Sequence, residues 1–230
     1  MPTPAVHQLH LVTEPPRGSR DFVGGIALAL DGGVDWVQLR DKSASAQTLL
    51  AMARQLRNVV RQHRASLAVN DRLDVGLAAH ADGVHLAAQS LPVADAVELA
   101  AGRLLVGRSV HSLEEAVAAA SDGADYVTFG NVFPTSTHPG LPPRGLAQLE
   151  QIVLAVDVPV LAIGGITADN LEEVLGTGCA GVAVISAILS AADPSAAAAR
   201  LRRALNSCHH EPRIAWRQPP RAAHHQSATV

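Results

Sequence analysis

The chain has 230 residues and a formal charge of −3, a length that suits one barrel-sized domain or two small ones. Aromatic side chains make up only 3% of it, and no excess of cations offsets that scarcity, so base stacking and polyanion binding are excluded as expected functions. Cys179 and Cys208 form neither a metal spacing nor a disulfide framework, and no apolar run reaches membrane-spanning length; with no secretion signal at the start, a soluble cytoplasmic protein is expected, with a homo-oligomer left open.

Leu9 to Val12 reads as the first strand, and Pro15, Pro16 and Gly18 as the loop after it. Phe22 to Leu30 reads as a helix stopped by Gly32-Gly33. Trp36 to Leu39 is the second strand, with Arg40-Asp-Lys42 just past its end. Thr48 to His63 has an apolar side built from Leu49, Leu50, Leu56, Val59 and Val60, the spacing of an amphipathic helix. Leu67 to Val69 is the third strand, ending at Asn70-Asp71, and Leu73 to Ala79 a short helix. Val84 to Leu86, a helix from Val93 to Ala101, and Leu104 to Val106 follow. Ser112-Leu-Glu-Glu115 is a capping box that opens the next helix.

Tyr126 to Phe129 is the sixth strand. The segment from Gly130 to Arg144 is long and rich in Pro and Gly, which marks a functional loop rather than a plain connector. Leu146 to Val156 is helical, and Val160 to Ile163 is the seventh strand. Gly164 and Gly165 then precede a helix start at Thr167 or Asp169. Gly181 to Ile188 is an eighth strand running into a small-residue turn, and Asp193 to Leu205 closes the series as a helix. Eight strand–helix alternations without a break predict an α/β fold, a single (β/α)8 barrel over residues 1–207. A doubly wound open sheet is the runner-up, but the Gly-x-Gly-x-x-Gly fingerprint is missing after the first strand. Residues 208–230 read as a flexible, disordered, dispensable tail, whose paired histidines are weak evidence for metal.

In such a barrel the C-terminal strand ends share one rim. That rim collects Gln38, Arg40 and Lys42; Asn70 and Asp71; His85; Arg108 and Ser109; Asn131, Thr135, Thr137 and His138; Gly164 and Gly165; and Ile185 and Ser186. Arg and Lys two residues apart suit a phosphate or diphosphate. The turns after strands seven and eight suit a second phosphate bound by backbone N–H groups at Gly165, Ile185 and Ser186. Asp71 alone is too little to hold Mg²⁺ firmly. His85 reads best as a core histidine bonded to backbone.

The pieces Val37-Gln-Leu-Arg-Asp-Lys42, Val69-Asn-Asp71, Asp82-Gly-Val-His-Leu86, Val106 to Glu115, Ala124 to Gly130, Phe133-Pro-Thr-Ser-Thr137, Ala162-Ile-Gly-Gly-Ile166 and Gly181 to Ile188 stand in one order. On them the chain resembles the thiamine phosphate synthase and TenI superfamily, whose fold is a (β/α)8 barrel. Two activities occur there. A synthase joins a hydroxymethylpyrimidine diphosphate to a thiazole phosphate and releases pyrophosphate. A TenI-like tautomerase aromatises a carboxylated thiazole phosphate. Resemblance to the synthase implies that Gln38, Arg40 and Lys42 hold pyrophosphate and that Asn70 and Ser109 meet the pyrimidine. It also implies that Asp71 meets Mg²⁺, that Thr135 and Thr137 line the thiazole side, and that Gly165, Ile185 and Ser186 hold the thiazole phosphate.

The departures set the expectation. Ser90 stands where the synthase usually has a second metal carboxylate, and His138 where it has a lysine. Asn131 stands where TenI members have their catalytic histidine. Weighing the two lost synthase groups more heavily makes a thiazole tautomerase the expected enzyme. It would need no cofactor, bind a small-molecule thiazole phosphate, and use His138 as its acid–base residue. The alternatives are an Mg²⁺-dependent thiamine phosphate synthase and a non-catalytic barrel that binds thiazole phosphate. No partner membrane or nucleic acid is expected.

Overall fold

A computed structural model describes residues 7–14, 21–135, 140 and 142–217. Eight parallel strands close into a barrel in sequence order, each hydrogen-bonded to the next and β8 back to β1. The strands are β1 (Gln8–Val12), β2 (Trp36–Leu39), β3 (Ser66–Asn70), β4 (Gly83–Leu86), β5 (Leu105–Val110), β6 (Tyr126–Gly130), β7 (Val160–Ile163) and β8 (Gly181–Val184). The helices between and after them are α1 (Phe22–Asp31), α2 (Ala46–Gln62), α3 (Leu73–Ala78), α4 (Val93–Ala100), α5 (Leu113–Ser121), α6 (Gly145–Ala155), α7 (Leu171–Gly176), α8 (Ser186–Leu189) and α9 (Pro194–Ser207). The (β/α)8 barrel expected from the alternation is the fold found. The main shift of boundary is β5, which runs four residues further than expected, to Val110, because Gly107-Arg-Ser109 is polar yet still pairs with β6.

Side chains alternate across each strand. Leu9, Leu11, Val37, Leu39, Leu67, Val69, Val127 and Phe129 are buried in the hydrophobic core. The layer between sheet and helices is therefore aliphatic, and the barrel interior is left for polar and aromatic groups. In that interior large rings face missing side chains. A Cβ on Gly107 would fall within contact of Tyr126 Cζ, Cε1 and Oη, and one on Gly83 would lie 3.3 Å from Trp36 Cζ3. These glycines are spaces that the rings fill.

The N-terminal floor uses one device three times. Asp35, Asp82 and Asp125 stand directly before β2, β4 and β6. Each carboxylate accepts the N–H of a neighbouring strand: Leu9 at 2.7 Å, Leu67 at 2.9 Å and Val106 at 2.7 Å. These bonds pin strand starts in pairs. Arg202 of α9 then ties the ring shut, donating to Gly33 O at 3.0 Å, to His7 O at 2.9 Å and to the Asp35 carboxylate.

The barrel-associated chain extends past the boundary at 208 that the sequence suggests. Arg213 N–H donates to Gly178 O at 2.9 Å, and its guanidinium to Val153 O at 3.0 Å and Val156 O at 2.6 Å. Trp216 places its ring 4.8 Å from His10, 4.8 Å from Tyr126 and 5.7 Å from Trp36. The flexible tail expected over 208–230 is thus ordered against the barrel as far as 217. Residues 218–230 lie outside the described residues.

Candidate active site

The C-terminal strand ends open onto a cavity of about 800 Å³. Gln38, Arg40 and Lys42 reach it from β2 and the loop beyond, Asn70 from β3, Ser109 from β5, and Asn131 and Thr135 from the loop after β6. Gly165, Ile185 and Ser186 reach it from the turns after β7 and β8. These residues, chosen because they sit at strand ends, do share one mouth. Thr137 and His138 lie outside the described residues. Asp71 is not among the lining groups; it stands behind Asn70 and Ala87.

The cavity is electrostatically one-sided. Its described lining includes Arg40, Lys42 and Arg144 and no carboxylate, although the whole chain carries −3. The Arg40 guanidinium and the Lys42 ammonium have no hydrogen-bond or ion-pair partner among the described residues. Cations in a low-dielectric cleft focus field on an anion placed between them. After β7, Gly164 and Gly165 adopt φ of 98° and 67°, the left-handed region open to glycine. The backbone N–H groups of Gly165 and Ser186 find no acceptor among the described residues, so they are available to a phosphate. Gly165 has a second reason to be glycine. A Cβ there would sit 2.5 Å from Pro134 O and 2.6 Å from Phe133 Cβ, so the loop after β6 also requires its absence.

Three side chains form a buried line from barrel floor to cavity. Tyr126 Oη lies 3.1 Å from His85 Nδ1, and His85 Nε2 lies 2.9 Å from Ser109 Oγ. The expectation of a core histidine holds, but its partners are side chains and not backbone. Burial pushes His85 down to about 4, against the opposing pull of the Asp71 carboxylate and with help from Arg108; the imidazole is neutral at neutral pH. Burial also raises the Tyr126 phenol, so it keeps its proton. That proton has no other acceptor among the described residues, and an undonated buried O–H costs about 1–3 kcal/mol. Tyr126 therefore donates to Nδ1, and Nε2–H donates to Ser109 Oγ. The Ser109 proton is left for the cavity.

Beside this line, Gln38 Nε2 donates to Asn70 Oδ1 at 2.8 Å, and Asn70 Nδ2 to Asp71 Oδ2 at 2.6 Å. Asp71 Oδ1 accepts Ala87 N–H at 2.9 Å and the Ser90 hydroxyl. Among the described residues no group of three His, Cys, Asp or Glu side chains could hold a metal. Asp71 retains one free lone-pair direction, on Oδ2. That set does not fit a metal caged by protein, and it does fit a Mg²⁺ that arrives on a diphosphate, since Mg²⁺ is commonly held by one carboxylate plus substrate oxygens and water.

Two cavity groups were not singled out from sequence. Arg144 donates from Nε to Gly130 O at 3.0 Å, and His111 donates from Nδ1 to the same carbonyl at 2.9 Å. His111 directly follows β5 and Arg144 follows Pro142-Pro143, and their shared use of the Gly130 carbonyl ties both to the site.

The family profile described as thiamine monophosphate synthase matches residues 9–188, a span that holds every cavity residue named above. The chain is 44% identical over 188 residues to a putative thiamine-phosphate synthase of Geobacter sulfurreducens, covering 81% of this chain and 88% of that protein. It is 42% identical over 196 residues to the thiamine-phosphate synthase of Pyrococcus furiosus, covering 85% and 93%. A solved structure of thiamine phosphate pyrophosphorylase from Pyrococcus furiosus superposes with a TM-score of 0.80 at 41% identity, covering 87% of this chain and 96% of that one. These relatives carry the synthase name, and they overturn the tautomerase expected from the sequence, both as function and as enzyme class. The physical reason lies at Asn131. Its lack of a base is a defect only for proton transfer, and the cavity's cations serve a different chemistry.

Proposed function

We propose that this chain, which belongs to the thiamine monophosphate synthase family, is a thiamine phosphate synthase joining hydroxymethylpyrimidine diphosphate to thiazole phosphate. The observation that carries the reading is a cavity with two separate anion positions. Arg40 and Lys42 stand at the end of β2, and the N–H groups of Gly165 and Ser186, with no acceptor among the described residues, at the ends of β7 and β8. A tautomerase substrate brings one phosphate; the synthase pair brings a diphosphate and a phosphate.

The chemistry suits the residues. The pyrimidine methylene carbon loses its bond to the diphosphate oxygen, and the electron pair leaves with pyrophosphate. The lone pair of the thiazole ring nitrogen forms the new C–N bond and gives a thiazolium. No proton is removed, so no general base is needed and Asn131 is no obstacle. Catalysis then rests on neutralising charge that develops on the leaving group, where each preorganised donor is worth on the order of 10²–10³ in rate. Arg40, Lys42 and Gln38 hold the leaving pyrophosphate. Asn70, braced by Gln38, and Ser109, braced by His85, hold the pyrimidine. Thr135 lines the thiazole side, and Gly165, Ile185 and Ser186 hold the thiazole phosphate. Asp71 would help hold a Mg²⁺ that arrives with the diphosphate, and the ion would supply further charge neutralisation.

Pyrophosphate release measured with Mg²⁺ and both substrates tests the reading. Release that requires both supports it. Release from the diphosphate alone would indicate a hydrolase, and no release from the pair would end the proposal.

A further inference from the structure

Trp216 lies beyond residue 188, where the match to the family profile ends, yet it enters the barrel floor. It meets His10 from β1, Trp36 from β2 and Tyr126 from β6. Arg213 anchors the approach through three carbonyls: Gly178, Val153 and Val156. The Trp216 indole N–H is buried and has no hydrogen-bond partner among the described residues, so there the ring is held by packing. Tyr126 is consequently confined on two sides. The β5 backbone at Gly107 closes one side, with no room for even a Cβ, and Trp216 closes another.

Confinement matters because Tyr126 begins the line to the cavity. It packs at 5.6 Å beside the His85 ring and bonds Nδ1, and His85 bonds Ser109. We infer that Trp216 is a positioning residue for the active site: it holds Tyr126, and through Tyr126 and His85 it fixes Ser109 as a hydrogen-bond donor into the cavity. Without the indole, Tyr126 gains room toward the floor and its bond to Nδ1 loosens. His85 then loses the reason to keep its proton on Nε2, and Ser109 loses its fixed orientation. Aromatic packing of this kind is directional, favouring edge and tilted contacts at ring separations of about 4.5–7 Å, so an aliphatic substitute fills volume without fixing the phenol.

The kinetic part of this inference rests on the reading of Ser109 as a substrate contact; the structural part does not. The test uses the full chain with ¹⁵N-labelled histidine and the variants Trp216→Phe, Trp216→Leu and Trp216→Ala. Imidazole ¹⁵N shifts of ligand-free protein, assigned with His85→Asn, report the His85 tautomer. The parent and Trp216→Phe should show one Nε2–H tautomer; Trp216→Leu and Trp216→Ala should show a mixture. In the synthase assay kcat should fall on the order of tenfold, the worth of one hydrogen bond. KM for thiazole phosphate should be unchanged, and Trp216→Phe should restore kcat. If Trp216→Ala does not fold, Trp216→Leu decides. A single Nε2–H tautomer in the leucine variant, with kcat within about twofold of the parent and well short of that loss, would make Trp216 a stability residue only and overturn the proposal. If the parent shows no synthase turnover, the fault lies with the activity assigned, and the ¹⁵N spectra still decide the role of Trp216.

Discussion

Replacing Gly107 by alanine adds one methyl to the barrel interior, and the structure says where it goes. The Cβ would overlap Tyr126 Cζ, Cε1 and Oη. Tyr126 cannot retreat freely, because Trp216 packs on it at 4.8 Å and His85 holds its hydroxyl. Either the ring or β5 must shift. Overpacking of a close-packed interior costs about 1–3 kcal/mol, and for a domain of this size about 2–4 °C of Tm follows per kcal/mol. Thermal unfolding followed by circular dichroism should show Tm lowered by about 2–12 °C. The partner can be identified. In a Tyr126→Ala background the overlap is gone, and the same change should be neutral or stabilising by a few tenths of a kcal/mol, because alanine restricts the unfolded chain more than glycine. The difference between the two backgrounds is a coupling energy. Equal losses in both would refute the claim that Gly107 exists to admit the tyrosine ring.

Three further outcomes follow from the same geometry. His85 titrates near 4 in the fold against an ordinary 6.5. Its contribution to stability is complete above pH 6.5 and is lost as pH falls through the window down to 4. By pH 5 the loss should be about 2 kcal/mol, with buried His10 acting in the same direction; urea midpoints at pH 7.5 and 5 should show it, and His85→Gln should flatten the slope. Arg40→Ala and Lys42→Ala should each lower kcat on the order of 10²-fold while leaving Tm within about 1 °C, since neither side chain bonds a described residue and exposed changes rarely exceed about 0.5 kcal/mol; normal kcat in both would move the pyrophosphate elsewhere. Ending the chain at Ser207, harmless if the tail is dispensable, removes Arg213 and half-buried Trp216 and should lower Tm by about 5–10 °C, part of the loss expected for a core tryptophan; an unchanged scan would show that the floor does not need them.

The barrel was legible because its outer layer is aliphatic. Runs such as Val160 to Ile163 and Gly181 to Val184 are short, and strand alternates with helix eight times. The rim was legible because polar residues at strand ends need no tertiary information to be placed there. The interior was not. Gly107-Arg-Ser109 lies past the apolar run that ends at Val106, and only pairing with β6 makes it strand. The aspartates before β2, β4 and β6 look like ordinary surface charges until their bonds to neighbouring strands are seen. Trp216 carried a signal, a lone indole in a polar Pro-containing stretch, but its target is assembled from three strands distant in sequence. The enzyme class was misjudged for a chemical reason. Ser90 and His138 were counted as losses of charge. The cavity keeps Arg40 and Lys42 and adds Arg144, and Asp71 keeps a lone pair for a metal brought by substrate.

The proposed synthase makes a carbon–nitrogen bond between two phosphorylated heterocycles. The direct measurement is mass spectrometry of the products after incubation with Mg²⁺ and both substrates, alongside a reaction given a carboxylated thiazole phosphate alone. Thiamine phosphate should form only when both substrates are present, in amounts equal to the pyrophosphate released, and the carboxylated thiazole should be recovered unchanged. Absence of the coupled product, with isomerisation of the lone thiazole, would contradict the account.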